Sequence, residues 1–154
     1  MYALSASIEV NPAGVAPVLT LEQVWRGLVM KAENALPFVA AMEDCRIIER
    51  YPDGFLREIK LRGVVMRERI TFTPYVEVFF ERIDAQGYDG WITNLISQGP
   101  NGLLLTFTFS VGFPGVAPGS AEERAQGDAV RESYISAVTS TLQAVRRLAG
   151  EKGL

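Results

Sequence analysis

Two residues of opposite charge, Arg57 and Glu68, stand in segments that otherwise alternate apolar and polar side chains. Arg62-Gly63 separates these segments and predicts a two-residue β-hairpin turn. In the register that such a turn imposes, Arg57 lies directly opposite Glu68. A shift of one residue would place core side chains opposite surface ones, so the pattern favours this register. Both charges are therefore predicted on the inward, apolar face of the sheet.

Apolar side chains surround the predicted pair. In the same register Ile59 lies opposite Met66, and Phe55 lies opposite Ile70. The inward face of the last strand and one stripe of the last helix should complete an apolar enclosure. The residues predicted to line this cavity are Ile59, Met66, Ile70, Phe107, Phe109 and Val138.

The pair has one functional and one structural interpretation. An arginine on an apolar wall can bind a ligand carboxylate or phenolate, with Glu68 as its orienter or as a proton acceptor. Alternatively, because isolated buried charges are costly, Arg57 and Glu68 form a satisfied ion pair or extend to water at the cavity mouth. The structural interpretation is the more frequent one for such pairs.

Asn94 and Tyr134 are two further polar candidates for the cavity. If Gly99 to Gly102 is a four-residue loop, Asn94 lies opposite Phe107 and faces inward; a loop longer by one residue would turn Thr93 inward instead. Tyr134 belongs to the apolar stripe of the last helix. Its hydroxyl could bind a ligand, or the ring could simply pack in the core with the hydroxyl at its edge.

The residue types that the sequence lacks limit the catalytic and metal-binding chemistry that it can support. The chain has no histidine and one cysteine, Cys45. Ser-His-Asp and Cys-His catalysis and the usual zinc sites are therefore excluded, and Cys45 is interpreted as a packing residue. Gly112 to Gly115 lacks the features of a phosphate-binding loop. No metal and no cofactor are predicted.

Charge and hydropathy limit the partners. The net charge is −3 without a basic stripe, so no nucleic acid is expected. Gly90 to Ala121 carries no charge, but prolines interrupt it and its apolar residues alternate with Thr and Ser, so no membrane span is expected. The first residues lack a signal-peptide pattern, which favours a cytoplasmic location. An exposed antiparallel edge would suit a homodimer.

The elements that position these residues follow a simple order. Thr20, with Gln23 three positions later, predicts the start of a helix, and Pro37 to Ala41 predicts a second short helix. A long helix is predicted from Ser120 to Gly150, with Gly150 as its C-cap. The predicted strands are Tyr2 to Val10, Cys45 to Tyr51, Phe55 to Leu61, Val64 to Phe72, Val76 to Ile83, Trp91 to Ser97 and Leu103 to Phe113.

This order resembles the helix-grip fold of the START/Bet v 1-like (SRPBCC) superfamily, and the chain is most similar to its AtaL-like family. The resemblance covers essentially the whole chain. It is carried by the segments Leu21 to Leu28 (LEQVWRGL), Lys31 to Val39 (KAENALPFV), Arg67 to Phe72 (RERITF) and Pro118 to Glu123 (PGSAEE). It implies a single α+β domain over residues 1–154, in which a seven-stranded curved antiparallel sheet grips a long C-terminal helix after two short helices. It implies no particular reaction.

Three functions remain open at this point. The first is a binding protein for a small hydrophobic ligand with one acidic or polar group. The second is a polyketide cyclase or dehydratase that uses Arg57 and Glu68. The third is a non-catalytic protein whose own side chains fill the cavity. The cavity volume should separate the third from the first two.

Overall fold

Within the described residues, which are 1–154 apart from the side chain of Lys152, the computed structural model contains one seven-stranded antiparallel sheet and two helices. The strands are β1 (Tyr2–Glu9), β2 (Met42–Tyr51), β3 (Gly54–Leu61), β4 (Val64–Thr73), β5 (Glu77–Asp84), β6 (Gly90–Gly99) and β7 (Gly102–Val111). The helices are α1 (Leu21–Glu33) and α2 (Ala121–Lys152). The sheet and the long C-terminal helix are those of the predicted helix-grip fold.

The strand order places consecutive strands β1 and β2 at opposite edges of the sheet. β2 to β7 form a meander, and β1 joins it beyond β7, which gives the order β1-β7-β6-β5-β4-β3-β2. Tyr2 at the start of β1 pairs with Val111 at the end of β7. The chain between β1 and β2 therefore crosses one face of the sheet, and α1 lies in this crossing segment.

The β3–β4 hairpin has the predicted register. Arg57 pairs with Glu68, and each pair in the hairpin follows from a two-residue turn at Arg62 and Gly63. Both turn residues have positive φ, 49° and 80°, which two-residue hairpin turns of this type require. The prediction was secure because the turn dipeptide and the alternation of side chains indicate the same register.

The β6–β7 hairpin also has the predicted register. Gly99 pairs with Gly102, and Asn94 pairs with Phe107. The alternative with a longer loop and an inward Thr93 is therefore wrong.

The predicted second short helix is a turn. The Ala35 carbonyl accepts hydrogen bonds from the backbone N–H groups of Phe38 (3.0 Å) and Val39 (2.9 Å), and the chain then enters β2. Pro37 has no N–H to donate and disfavours a helical conformation for the residue before it, so a helix does not extend through this segment.

The two helices begin as predicted, but α2 ends later. Thr20 and Gln23 form a capping box at α1, and the Ser120 side chain accepts a hydrogen bond from the Glu123 N–H at α2. Gly150 lies inside α2, and Gly153, with φ of 61°, is the C-cap. Neither helix, over the described part of the chain, combines the length and apolar character that crossing a bilayer requires.

α1 and α2 pack closely at Gly27, the residue of α1 that has no side chain beyond a hydrogen atom. A Cβ atom on Gly27 would overlap the side chain of Val145, which is fully buried. Around the crossing, the core joins both helices to the inner face of the sheet through residues such as Leu28, Leu105 and Leu142. The missing side chain at Gly27 therefore lets α1 and α2 pack in direct contact.

We expect Gly27→Ala to destabilise the protein although alanine favours a helix. Overpacking at Val145 costs about 1–3 kcal/mol, and the gain in helix propensity offsets about 1 kcal/mol of it. Gly150→Ala is the matched control, because nothing lies within 4 Å of the added Cβ there. Chemical denaturation should show a loss for the first variant and a small gain for the second. Equal gains for both would contradict the close approach.

Candidate functional site

A cavity of about 370 Å³ lies between the inner face of the sheet and the two helices. Its floor is formed by strands β3 to β7, and its roof by the end of α1, the segment that follows α1, and the middle of α2. Arg62 in the β3–β4 turn and Ser133 on α2 are exposed and lie at its mouth, where the Arg62 guanidinium is 3.4 Å from the Ser133 hydroxyl. A cavity of this volume does not agree with the interpretation that the protein's own side chains fill the space.

Arg57 and Glu68 form a buried ion pair on the cavity wall. Their exposed fractions are 4% and 2%. Nε and Nη2 of Arg57 donate to Oε2 of Glu68 at 2.8 and 2.6 Å. Among the described residues, the second oxygen, Oε1, accepts no hydrogen bond, and Glu68 lines the cavity.

The same guanidinium also closes the C-terminal end of α1. Nη1 of Arg57 donates to the backbone carbonyls of Ala32 (2.7 Å) and Lys31 (3.3 Å). These carbonyls lie in the last turn of α1, where no later helical N–H is available to them and where a positive charge is favourable. All three nitrogens of Arg57 are therefore occupied, which agrees with the structural interpretation of the pair.

A second arginine, Arg82 on β5, lies on the other side of Glu68. Arg82 pairs directly with Glu68 across the β4–β5 ladder and lines the cavity, with 9% of its surface exposed. Nη1 donates to the Tyr88 carbonyl at 3.0 Å, whereas Nε is buried without a hydrogen-bond partner. Val78, Phe80 and Arg82 alternate along one face of β5, and this alternation is the sequence signal that could have found Arg82.

Lys31 on α1 is the other charged group that the sequence analysis missed. Its side chain is 9% exposed, and Nζ donates to Oδ1 of Asn94 at 2.7 Å. Nζ also lies 4.5 Å from the ring centroid of Phe107 and 5.2 Å from that of Phe80. The sequence signal was helical spacing, because Lys31 follows the buried Leu28 by three positions.

Burial lowers the pKa of the Lys31 ammonium from 10.5 to about 7. The nearby positive charge of Arg57 lowers it further, and Glu68 partly opposes both effects. No carboxylate among the described residues forms an ion pair with Lys31. A substantial fraction of this amine is therefore neutral near pH 7.

The two other polar candidates have different positions. Asn94 is completely buried and holds Lys31, but it lies behind the cavity wall and its Nδ2 has no hydrogen-bond partner. Tyr134 lines the cavity and stacks on Phe109, with 4.5 Å between ring centroids.

The six apolar candidates divide into two groups. Ile59, Phe107 and Phe109 line the cavity. Met66, Ile70 and Val138 are buried but do not line it. Met66 packs with Ile59 in a small separate cluster, and the other two belong to the main core. Strand alternation showed which face these residues occupy but not where along the face the space opens.

We expect Glu68→Ala to lower the free energy of unfolding by about 3–5 kcal/mol, because it leaves the Arg57 charge buried without a counterion. Glu58→Ala, on the outer face of the adjacent strand, is the matched control and should cost much less, because Glu58 pairs there with the exposed Arg46 and Arg67. Thermal and urea denaturation would measure both. A Glu68→Ala protein as stable as the parent would contradict a buried pair.

The double replacement Arg57→Met with Glu68→Leu should recover part of this loss. It removes both buried charges together, which is often close to neutral. It also leaves the Ala32 carbonyl without its donor, at a cost of about 1–3 kcal/mol. The double variant should therefore unfold at a denaturant concentration between those of Glu68→Ala and the parent. Recovery to the parent value or beyond would show that Arg57 does not stabilise the end of α1.

Lys31 should make stability depend on pH. The folded state binds this proton more weakly than the unfolded chain, so the unfolded chain holds more protons between about pH 7 and pH 10.5. The contribution of Lys31 to the free energy of unfolding therefore rises with pH across this window, by an amount on the order of a few kcal/mol. Lys31→Met should be more stable than the parent at pH 6.5, and the gap should narrow towards pH 10. A constant gap would contradict the lowered pKa.

Several solved structures share this fold. The Zhui aromatase/cyclase from Streptomyces sp. R1128 aligns with a TM-score of 0.70 and 16% identity, over 99% of this chain and 98% of that chain. The di-domain ARO/CYC StfQ from the steffimycin biosynthetic pathway aligns with a TM-score of 0.71 and 12% identity, over 98% of this chain and 52% of that chain. Ara h 8.0201 aligns with a TM-score of 0.61 and 10% identity, over 98% and 99% of the two chains.

The sequence itself matches a family model. Residues 4–152 match the model for AtaL, described as acetylaranotin biosynthesis cluster protein L. The protein of that name from Aspergillus terreus is 24% identical over 153 residues, which cover 99% of this chain and 93% of that protein. Because the model spans nearly the whole helix-grip domain, this chain belongs to the AtaL family.

Proposed function

We propose that the cavity binds a small, largely apolar molecule that carries an anionic oxygen, such as a carboxylate, phenolate or enolate. The observation that carries this proposal is Arg82. Its guanidinium is buried on the cavity wall, forms no ion pair with a described carboxylate, and keeps one N–H donor without a partner. Buried donors are normally satisfied, so this donor is suited to an acceptor on a ligand.

The balance of charge on the wall points the same way. Lys31, Arg57 and Arg82 line the cavity together with a single carboxylate, Glu68, and Arg62 adds a further positive charge at the mouth. Arg57 neutralises that carboxylate through two short hydrogen bonds. The remaining potential is positive, and low-polarity surroundings screen it poorly.

The rest of the wall suits a flat apolar body. Phe80, Phe107, Phe109 and Tyr134 present rings to the cavity, and Ile59 and Ile92 add aliphatic surface. A volume of about 370 Å³ falls at the lower end of the range of about 300–1,000 Å³ for ligand pockets. A molecule of one to three fused or linked rings fits these dimensions.

A catalytic role is the second candidate, as a cyclase or dehydratase. The relative from Aspergillus terreus is named for a biosynthesis cluster, and two proteins of the same fold are named aromatase/cyclases. In this chain, the observation that favours catalysis is Oε1 of Glu68, a carboxylate oxygen on the cavity wall that accepts no hydrogen bond from the described residues. Arg57 is fully engaged, so it would position Glu68 rather than contact a substrate.

Two fluorescent probes with one skeleton test the anion site. 8-Anilinonaphthalene-1-sulfonate carries a charge that N-phenyl-1-naphthylamine lacks. We expect the parent protein to bind the sulfonate more tightly than the neutral probe. Arg82→Met should weaken sulfonate binding about ten- to a hundredfold, since hydrogen bonds to charged groups contribute about 1.5–3 kcal/mol, and should leave the neutral probe nearly unchanged.

Arg67→Met is the control for loss of a positive charge elsewhere, because Arg67 lies on the outer face of β4 and pairs with Glu58. It should bind both probes as the parent does. Retained binding of the neutral probe by Arg82→Met shows that the cavity is intact. Equal sulfonate affinity in the parent, Arg67→Met and Arg82→Met would overturn the assignment of Arg82 as the anion anchor.

A further inference from the structure

We infer that the Lys31 amine forms an imine with a ketone or aldehyde carbonyl of the bound ligand, an inference that rests on the cavity binding its ligand as proposed. Lys31 projects from the last turn of α1 to the cavity wall, between the rings of Phe80 and Phe107. Its one hydrogen bond to a described residue goes to the neutral amide oxygen of Asn94. A buried lysine without a carboxylate partner is an uncommon arrangement and a costly one.

The groups around the Lys31 amine favour its neutral, nucleophilic form. The charged and titratable groups that line the cavity with Lys31 are Arg57 from β3, Glu68 from β4, Arg82 from β5, Tyr134 from α2 and, at the mouth, Arg62 from the β3–β4 turn. Positive charges outnumber negative ones, which disfavours a further proton on Lys31 and agrees with its lowered pKa. The Asn94 oxygen accepts one N–H of the amine, and this contact fixes the direction of Nζ. A neutral, oriented and desolvated lysine is an effective nucleophile for carbonyl carbons.

The reaction is balanced without an oxidant or a reductant. The lone pair on Nζ forms a bond to the carbonyl carbon, and one proton of the nitrogen moves to the carbonyl oxygen to give a neutral carbinolamine. The carbinolamine hydroxyl takes up a proton from solvent and leaves as water, which breaks the C–O bond and forms the C=N bond of an iminium. If a second carbonyl lies two carbons away, the iminium loses the proton from the carbon between them and becomes a conjugated enaminone. Glu68 is the carboxylate on the wall that can accept this proton.

These properties define a substrate class. A 1,3-dicarbonyl compound is acidic enough to bind Arg82 as its enolate, and its neutral keto form, which is in equilibrium with the enolate, contains the electrophilic carbonyl that Lys31 attacks. A simple carboxylic acid satisfies Arg82 alone. We therefore assign the cavity to 1,3-dicarbonyl compounds or their enols, attached to an apolar or aromatic body.

Pentane-2,4-dione is a direct probe, because its enaminone with an amine absorbs in the near ultraviolet. The chain has three lysines, Lys31, Lys60 and Lys152, so intact mass and peptide mapping can locate every lysine adduct. At pH 7.5 we expect Lys31 to be labelled more than about tenfold faster than Lys60, since ordinary lysines with a pKa near 10.4 are almost fully protonated there. The Lys31 rate should rise with pH and level off above about pH 7 to 8.

Two variants and one competitor complete the test. Lys31→Met should lose the rapid adduct, and Lys60→Met, at an exposed position on β3, should keep it. 8-Anilinonaphthalene-1-sulfonate should protect Lys31 in the parent. If the parent binds the sulfonate through Arg82 but Lys31 reacts no faster than Lys60, the imine is overturned and the proposed binding function stands. If the parent neither binds the sulfonate nor labels Lys31, both are overturned.

Discussion

The contact on which the site depends is the one between the Arg57 guanidinium and the last carbonyls of α1. One side chain joins a β-strand, a carboxylate on the next strand and the end of a helix, through hydrogen bonds of 2.6 to 2.8 Å. Glu68 holds the guanidinium in the orientation that reaches the Ala32 carbonyl. The last turn of α1 is thereby fixed above the sheet, and Lys31, which belongs to this turn, is placed over Phe107. The Arg57–Glu68 ion pair in the cavity wall therefore helps to position the amine of Lys31.

Electrostatics in this cavity result from geometry more than from composition. The chain as a whole is acidic, with a net charge of −3, yet its cavity wall presents two buried guanidiniums and an amine with one carboxylate, and a third guanidinium, that of Arg62, lies at the mouth. Neighbouring strands β3, β4 and β5 place Arg57, Glu68 and Arg82 side by side, because each lies directly opposite the next. All three side chains are at most 9% exposed, so each charge influences the others more strongly than the same charges would on the outer face.

Strand pairing could be predicted wherever a short turn and an alternating pattern indicated the same register. The Arg57–Glu68 and Asn94–Phe107 pairs are of this kind. Arg82 was harder to place, because the turn between β4 and β5 is longer than two residues and does not by itself indicate the register, so only the alternation along β5 could have found it.

Lys31 was missed for another reason. A lysine on a helix is ordinarily exposed, and its helical phase alone was weak evidence against that expectation. Its burial depends on α1 ending directly over the sheet, which is a property of the tertiary structure. The volume of the cavity was likewise beyond prediction, since strand and helix periodicity show which residues face inward but not how far apart the helices and the sheet lie.

The pairing of β1 with β7 determines when the protein can fold during its synthesis. Tyr2 pairs with Val111, and Glu9 pairs with Leu104. The backbone groups of β1, the first strand to be synthesised, therefore find their hydrogen-bond partners only after β7, the last strand, has been synthesised. Such distant pairings close slowly, because the chain loses loop entropy before it gains contacts. The central meander can form first from its local hairpins, with the part of its apolar face that α2 covers in the folded protein uncovered until α2 emerges. Protection of this nascent sheet from aggregation therefore depends on the chain reaching its final helix promptly.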